Sequence, residues 1–546
     1  MRTLVFVMAT AACGGGNSVG IKIVDAPIKS GCLSSNECPT GYTCNEFGVC
    51  IAPTPGVDAS TPPETEVELG TPVSSQRYVY VPMTSENKLA RIDGLTLAVT
   101  TTMVGQSPRV VAAIPNSDGA VVLDQANGTA TIVRPAPTGD VLDVLPTLQN
   151  LNALDIDPSG RFGVAWFDLA KAVQGGGLGG VGSFQDLTIV ALAPGGEKAV
   201  NLTVGFVPRN VQFDATGDHA YVVTQDGVSV IDLANAVASP PTSVPPIAVA
   251  APGVPVSDLE VLIVSTGDFA VVRQAGVAAL RVVSLRAVDA GTVFTVPLAS
   301  SASDIDLAPD GSRVYAVERD AALLAVVDIP ADVIDPTGVQ TVNLSSGTLG
   351  SIEVSKDGTR ALLFTNATHD ERLTMVRLDQ AGFPAVTWPL RKAVFAVAIS
   401  PTSTSAIVVG AKAPGDPSTA TSLDQFIDES YGYSLVDLGT GFATLQLTDV
   451  DPGSLAYAPS GSKAYVSLDG GDDPTATRAV QIVDVQSGVI TTSVLGSPPS
   501  DVGILPAANV AFVSQRHPLG RISFFALVTD AVRTVTGFDL NSQVVP

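Results

Sequence analysis

Asp304-Ile-Asp-Leu-Ala-Pro-Asp310-Gly311-Ser-Arg-Val-Tyr315-Ala-Val, running on to Ala325-Val-Val-Asp328-Ile329, is the stretch that decides the fold. It reads as an alternating strand, a Pro-Asp-Gly turn, a Val-rich strand and a third strand ending in Val-Asp-Ile. The order recurs in Val211-Gln-Phe-Asp-Ala-Thr-Gly217 with Ala220-Tyr-Val-Val and Val230-Ile-Asp232-Leu233. It recurs again in Leu455-Ala-Tyr-Ala-Pro-Ser-Gly461 with Ala464-Tyr-Val and Val483-Asp484-Val485. The joints between copies also match. Gly105-Gln-Ser-Pro108, Gly205-Phe-Val-Pro208 and Gly496-Ser-Pro-Pro499 share Gly-x-x-Pro, each followed by a Val at 111, 211 or 502.

Turn glycines at 119, 160, 217, 267, 311, 358 and 461 mark seven copies. Pro401-Thr402-Ser403 and Pro506-Ala507-Ala508 occupy the same turn in two more. Residues 77–104 add a tenth copy that lacks its first strand, and copies start roughly 40–58 residues apart. That period is the length of a four-stranded blade. Strands rich in Val on both faces must be covered on both faces. One small sheet cannot do that alone, so the sheets stack, and closing the stack into a ring removes its exposed ends. The sequence therefore predicts an all-β β-propeller of four-stranded antiparallel blades. Ten repeats are counted; seven or eight blades, or two smaller rings, remain open.

The repeat over 77–546 resembles that of YVTN-type β-propellers, carried by Pro309-Asp310-Gly311, Val314-Tyr315-Ala316-Val317 and Val326-Val327-Asp328. The resemblance implies closure by a strand lent from one terminus to the other. Val535-Thr-Gly537-Phe538 and the residues after it are similar to the joint at Val204-Gly205-Phe206, so residues 541–545 are expected to complete the first blade.

The N-terminus reads Met1-Arg2-Thr3, an apolar run from Leu4 to Ala12, then Cys13. This is the layout of a secretory signal over 1–12, too short to span a bilayer as a helix. Thr10-Ala11-Ala12-Cys13 resembles the lipobox of bacterial lipoproteins, although Thr10 stands where Leu is usual. The resemblance implies a lipid on Cys13, and Gly14, in place of Asp, implies sorting to the outer membrane on its periplasmic or surface face. The alternative is a plain signal peptide. A tether (13–31) leads to Cys32, Cys38, Cys44 and Cys50, whose even count and tight spacing in an exported chain predict two disulfides. Resemblance to small modules with a Cys-Pro-x-Gly-x-x-Cys core implies Cys32–Cys44 with Cys38–Cys50. A metal site is the weaker reading, because this segment has no His. A Pro/Thr-rich linker fills 51–76. Lipobox, Cys-rich module and propeller together resemble surface lipoproteins of Gram-negative bacteria, a family with no assigned reaction.

The chain of 546 residues carries 29 Lys and Arg against 53 Asp and Glu, a net charge of −24. With 45% hydrophobic residues it has enough apolar side chains for a large core. No basic stripe interrupts the acidity, which argues against nucleic acid as a partner. A membrane contact is expected only through the N-terminal lipid.

Chemistry is sparse. Histidines stand at 219, 369 and 517, in different copies. No nucleophile elbow, P-loop or dinucleotide fingerprint occurs, so no cofactor and no catalytic residue are assigned. Asp469-Gly-Gly-Asp472-Asp473 is acidic but lacks calcium-loop spacing, so no metal ligand is assigned either. The best ligand-binding candidates are Arg516, His517 and Arg521, which share one loop and suit an anion; plain loop structure is the competing reading. Two insertions, 174–183 and 412–430, fall between second and third strands and should project from one rim. The expected function is a binding or scaffold module, not an enzyme, for an envelope protein, peptide or glycan. The alternatives are a propeller enzyme of lactonase or cofactor-binding type and a self-associating structural protein.

Overall fold

The computed structural model describes residues 43–44, 50–51 and 72–540, apart from 138, 175–181, 345–348 and 472–475. Ten antiparallel meanders follow one another along the chain. They span residues 73–103, 108–146, 153–203, 210–232, 259–297, 304–343, 351–389, 394–448, 452–494 and 499–536, here blades 1 to 10. Nine have four strands. Blade 4 has three, and the place of its fourth is taken by Ile247, which exchanges both backbone hydrogen bonds with Val228 (2.8 and 2.9 Å). A separate two-stranded pair, Thr43–Cys44 with Cys50–Ile51, sets Cys44 opposite Cys50. The lipidation at Cys13 and the expected disulfide pairing lie outside the described residues. No helix among those described is long and apolar enough to cross a membrane.

First strands of neighbouring blades touch one another, while fourth strands such as Val141–Pro146 alternate toward solvent. The first strands therefore stand around the axis. Apolar residues of both sheet faces are consumed in ten joints, each shared by two adjacent blades. The joint between blades 6 and 7 is typical. Tyr315, Val317, Leu324 and Val326 pack on Ile352, Ala361, Leu363 and Val376. The tenth joint closes the circle, with Phe512, Phe524 and Phe538 packing on Val79, Val81 and Ile92 of blade 1. Ten blades in one ring is the count read from the sequence.

One expectation about closure needs correction. Blade 1 does not lack its first strand, because Val73–Ser74 pairs with Val79 and Tyr80. The first blade thus starts before residue 77, and its inner edge there is held by the preceding segment. Residues 541–545 lie outside the described residues. The tail just before them docks at the closing joint: Phe538 is buried there and Asp539 pairs with Lys88 at 2.9 Å. The backbone N–H groups of Gly537 and Phe538 bond within blade 10, to the carbonyls of Gly520 and Leu519.

The turn between first and second strands explains the recurrent Gly. At Gly311 φ is +72° and a Cβ would stand 2.5 Å from the Ser265 hydroxyl of the previous blade's turn. Backbone conformation and close approach both exclude a side chain there. Where the copies lack this Gly, Ser403 (φ 55°) and Asn509 (φ 54°) adopt the left-handed conformation in its place. The second-strand Tyr reaches forward instead: Tyr80 donates its hydroxyl to the Asp118 carbonyl of blade 2.

Phe524 is 2% exposed at the closing joint, whereas Val494 is 81% exposed on an outer strand. Phe524→Ala is expected to destabilise by about 3–5 kcal/mol. Val494→Ala should stay within about 0.5 kcal/mol. Chemical unfolding of both variants checks the contrast.

Candidate functional site

The inner edge of each blade presents backbone N–H and C=O groups with no strand beside them. Such groups need partners. Side chains of one inner strand supply them to the next. Gln212 of blade 4 donates Nε2–H to the Val261 carbonyl (3.2 Å) and accepts from Ile263 N–H (3.0 Å). Asp304 and Asp306 of blade 6 accept from the N–H groups of Ile352 and Val354 of blade 7, both at 2.9 Å. Ser454 of blade 9 accepts from Val502 N–H of blade 10 at 3.1 Å.

These positions follow one register. Asp155, Gln212, Asp306 and Glu353 each stand three residues before the first residue of their turn; Glu260 and Asp304 stand two residues earlier in their strands. Asp155 and Gln212 line a cavity of about 630 Å³ at the turn-side mouth of the axis. Its rim is made by Ser75, Asn116, Pro158, Asp214, Ser265 and Pro309, from blades 1 to 6.

The electrostatics of these inner-strand acids, of which Asp155 lines the cavity, are lopsided. Burial pushes Asp304 up to about 7, and the Glu260 carboxylate adds to that; the Ile352 N–H and Arg273 pull the other way. Burial pushes Asp306 up to about 6 against the N–H groups of Val354 and Leu307. Glu353 rises to about 8 through burial, then repulsion from Asp306 and Asp304. Asp155 rises to about 6 through burial, opposed by Lys171. Glu260 is also raised by burial, although Arg273 Nε pairs with it at 2.6 Å. Asp155 is reached by solvent even so. Both properties belong to a carboxyl in a narrow channel wall, where water enters but protein surrounds the group. Among the described residues Arg273 is the only cation that forms an ion pair with any of these five carboxyls. The arrangement holds protons near neutrality and attracts positive charge.

The sequence-derived candidates are placed differently. Arg516 closes on Asp469 with two bonds (2.7 and 2.8 Å). Arg521 donates to Ser497 (2.8 Å) and Thr536 (3.0 Å). His517 Nδ1 accepts from Leu519 N–H at 3.2 Å, and burial, then Arg521, lowers its proton affinity. The two guanidiniums thus already hold protein partners, and an anion reaching Arg516 would compete with Asp469. His219 pairs with Asp214 at 2.9 Å in its turn. Asp472 and Asp473 lie outside the described residues. The channel acids escaped the sequence reading. Their signal was present: Asp-Ile-Asp-Leu, Ser-Ile-Glu-Val and Leu-Asp-Ile carry acids at alternate positions of the one strand per copy that faces the axis.

No protein-family model matches the chain, and no curated protein sequence matches it. Solved structures do. A dihydro-heme d1 dehydrogenase, NirN, in complex with DHE aligns at 12% identity over 77% of this chain and 76% of that one, TM-score 0.40. A eukaryotic initiation factor aligns at 12% identity over 85% and 97%, TM-score 0.47. A functionally unknown protein from Desulfotomaculum acetoxidans DSM 771 aligns at 12% over 77% and 96%, TM-score 0.31. At these scores none of the three bears on ligand or chemistry here.

The raised carboxyls make stability depend on pH with a definite sign. Unfolded, such groups titrate near 4. Folded, Asp304 and Glu353 hold their protons to about 7 and about 8. Their contribution is complete below pH ~4 and is lost as pH rises through those folded values. Wild-type melting temperature should therefore fall between pH 6 and pH 9. Glu353→Gln should flatten the fall and be more stable at pH 8.5 by about 1 kcal/mol, a figure reduced for water in the channel. An unchanged pH profile in the variant would count against the assignment.

Proposed function

We propose that this chain is an exported lipoprotein, held through Cys13 at the outer membrane, whose propeller is a binding module rather than an enzyme. Its partner is an envelope protein or peptide that brings a Lys- or Arg-bearing segment to the central channel. The observation that carries this reading is the wall formed by Asp155, Glu260, Asp304, Asp306 and Glu353, with one paired guanidinium among them. An entering ammonium or guanidinium would favour the charged carboxylates and so release protons. The overall charge of −24 supports the same choice, because it draws a basic segment from a distance. The Pro/Thr-rich linker suits a module held clear of a membrane.

A fluorescent Lys-rich peptide and a matched Glu-rich peptide, titrated into the purified protein, test this. The Lys-rich peptide should bind, weaken with added salt and lose about tenfold or more in the double variant Asp304→Asn, Glu353→Gln. Equal binding of both peptides, or no change in the double variant, removes the channel from the account. The anchor is tested separately in cells. Labelled palmitate should enter the wild-type chain and not Cys13→Ala; label retained in that variant would place the lipid elsewhere.

A further inference from the structure

The loop of blade 7 between its second and third strands, 365–371, meets the insertion of blade 8 at 411–430. That insertion contains the helix Leu423–Glu429, capped by Ser422, whose hydroxyl accepts from Gln425 N–H at 3.1 Å. The meeting sets one imidazole and two carboxylates side by side. A nitrogen of His369 and carboxylate oxygens of Glu371 and Asp428 all lie within 4.8 Å of one another. His369 Nε2 contacts Glu371 Oε1 at 3.4 Å, too long for a good hydrogen bond. Among the described residues the Asp428 carboxylate accepts no hydrogen bond, and the Glu371 carboxylate has no hydrogen-bond or ion-pair partner but His369.

The main chain beneath the three groups is pinned. Glu371 accepts at its carbonyl from Leu390 N–H at 2.6 Å. Lys392, 2% exposed, donates Nζ–H to the carbonyls of Ile427 (2.8 Å) and Asp428 (2.9 Å). Ala413 N–H donates to the same Asp428 carbonyl at 2.8 Å. The side chains that face outward are thus mounted on a fixed base, two from blade 7 and one from blade 8. Lys392 offsets part of the carboxylate charge, and two of its three protons go to carbonyls rather than to the carboxylates.

We propose that His369, Glu371 and Asp428 form a divalent metal site, with Zn²⁺ the ion of matching chemistry, which clasps the blade 7 loop to the blade 8 insertion. One nitrogen and two carboxylate oxygens at about 2.0–2.2 Å are a zinc donor set, and water completes it. A His nitrogen disfavours Ca²⁺ and Mg²⁺, which take oxygen. Ligands within 4.8 Å need to close by roughly 1 Å around such an ion, which the exposed rotamer of His369 allows.

The test uses the full chain, stripped of metal with EDTA and titrated with ZnCl₂ by calorimetry, with bound zinc counted by atomic emission after dialysis. His369→Ala and Asp428→Asn are compared with wild type, and His369→Gln serves if the first does not fold. Circular dichroism in EDTA should show all variants folded. Wild type should retain one more zinc per chain than each variant, and zinc should raise its melting temperature more. Zinc held by the cysteines would remain in every protein and cancel in this difference. The same number of zinc ions, bound with the same affinity, in wild type and both variants would overturn the proposal. So would a wild-type chain that takes up no zinc.

Discussion

The whole structure depends on the apolar joint between neighbouring blades. A four-stranded sheet with Val, Ile, Leu and Tyr on both faces cannot stand in water, because burial of each such side chain is worth roughly 1.5–3 kcal/mol and half of them would be left exposed. Stacking solves this for every blade except the two at the ends. The joint of Phe512, Phe524 and Phe538 with Val79, Val81 and Ile92 solves it for those as well. Ring closure is therefore an energetic requirement of the repeat rather than an ornament of the topology. It also explains why the turns carry Gly: each turn is pressed onto the one before it, as Gly311 is onto Ser265.

Closing the ring has a chemical consequence. Ten inner edges are brought around one axis, and their backbone groups face the space it encloses. Side chains from the preceding blade answer them, and at blade 6 those side chains are carboxylates. The same geometry that satisfies Ile352 and Val354 also half-buries Asp304 and Asp306 and crowds them against Glu353. Structural capping and a proton-rich, cation-seeking wall thus arise from one arrangement. The opposite rim, where second strands connect to third strands, is free of these constraints. Insertions are tolerated there, and it is there that His369 and Asp428 meet.

The repeat and its stacking into a propeller were legible in the sequence; what the closed ring brings together in space was not. Pro309-Asp310-Gly311 could be read because a left-handed turn residue is a local steric matter, and nine such turns with the partial copy at 77–104 gave the ten blades. The helix Leu423–Glu429 was not read, although Ser422-Leu-Asp-Gln425 has the form of a capping box. A short helix inside an insertion has too few apolar positions to show a period. Asp304 and Asp306 were read only as part of an alternating strand. Whether that face meets solvent or an enclosed channel depends on the ring closing, which no single copy encodes. Arg516, His517 and Arg521 looked convergent because they are close in sequence. Asp469, which holds Arg516, comes from the neighbouring blade and is visible only in space.

The central claim is that ring closure encloses carboxyls which keep their protons at neutral pH. Infrared difference spectroscopy reads this directly, since a protonated carboxyl has its own C=O stretching band. The account predicts that the band persists at pH 7, disappears by about pH 9 and is diminished in Glu353→Gln, whose side chain in the native protein titrates at about 8. A wild-type spectrum with no protonated carboxyl left above pH 5.5 would contradict it, because the inner wall would then be as wet as the outer surface.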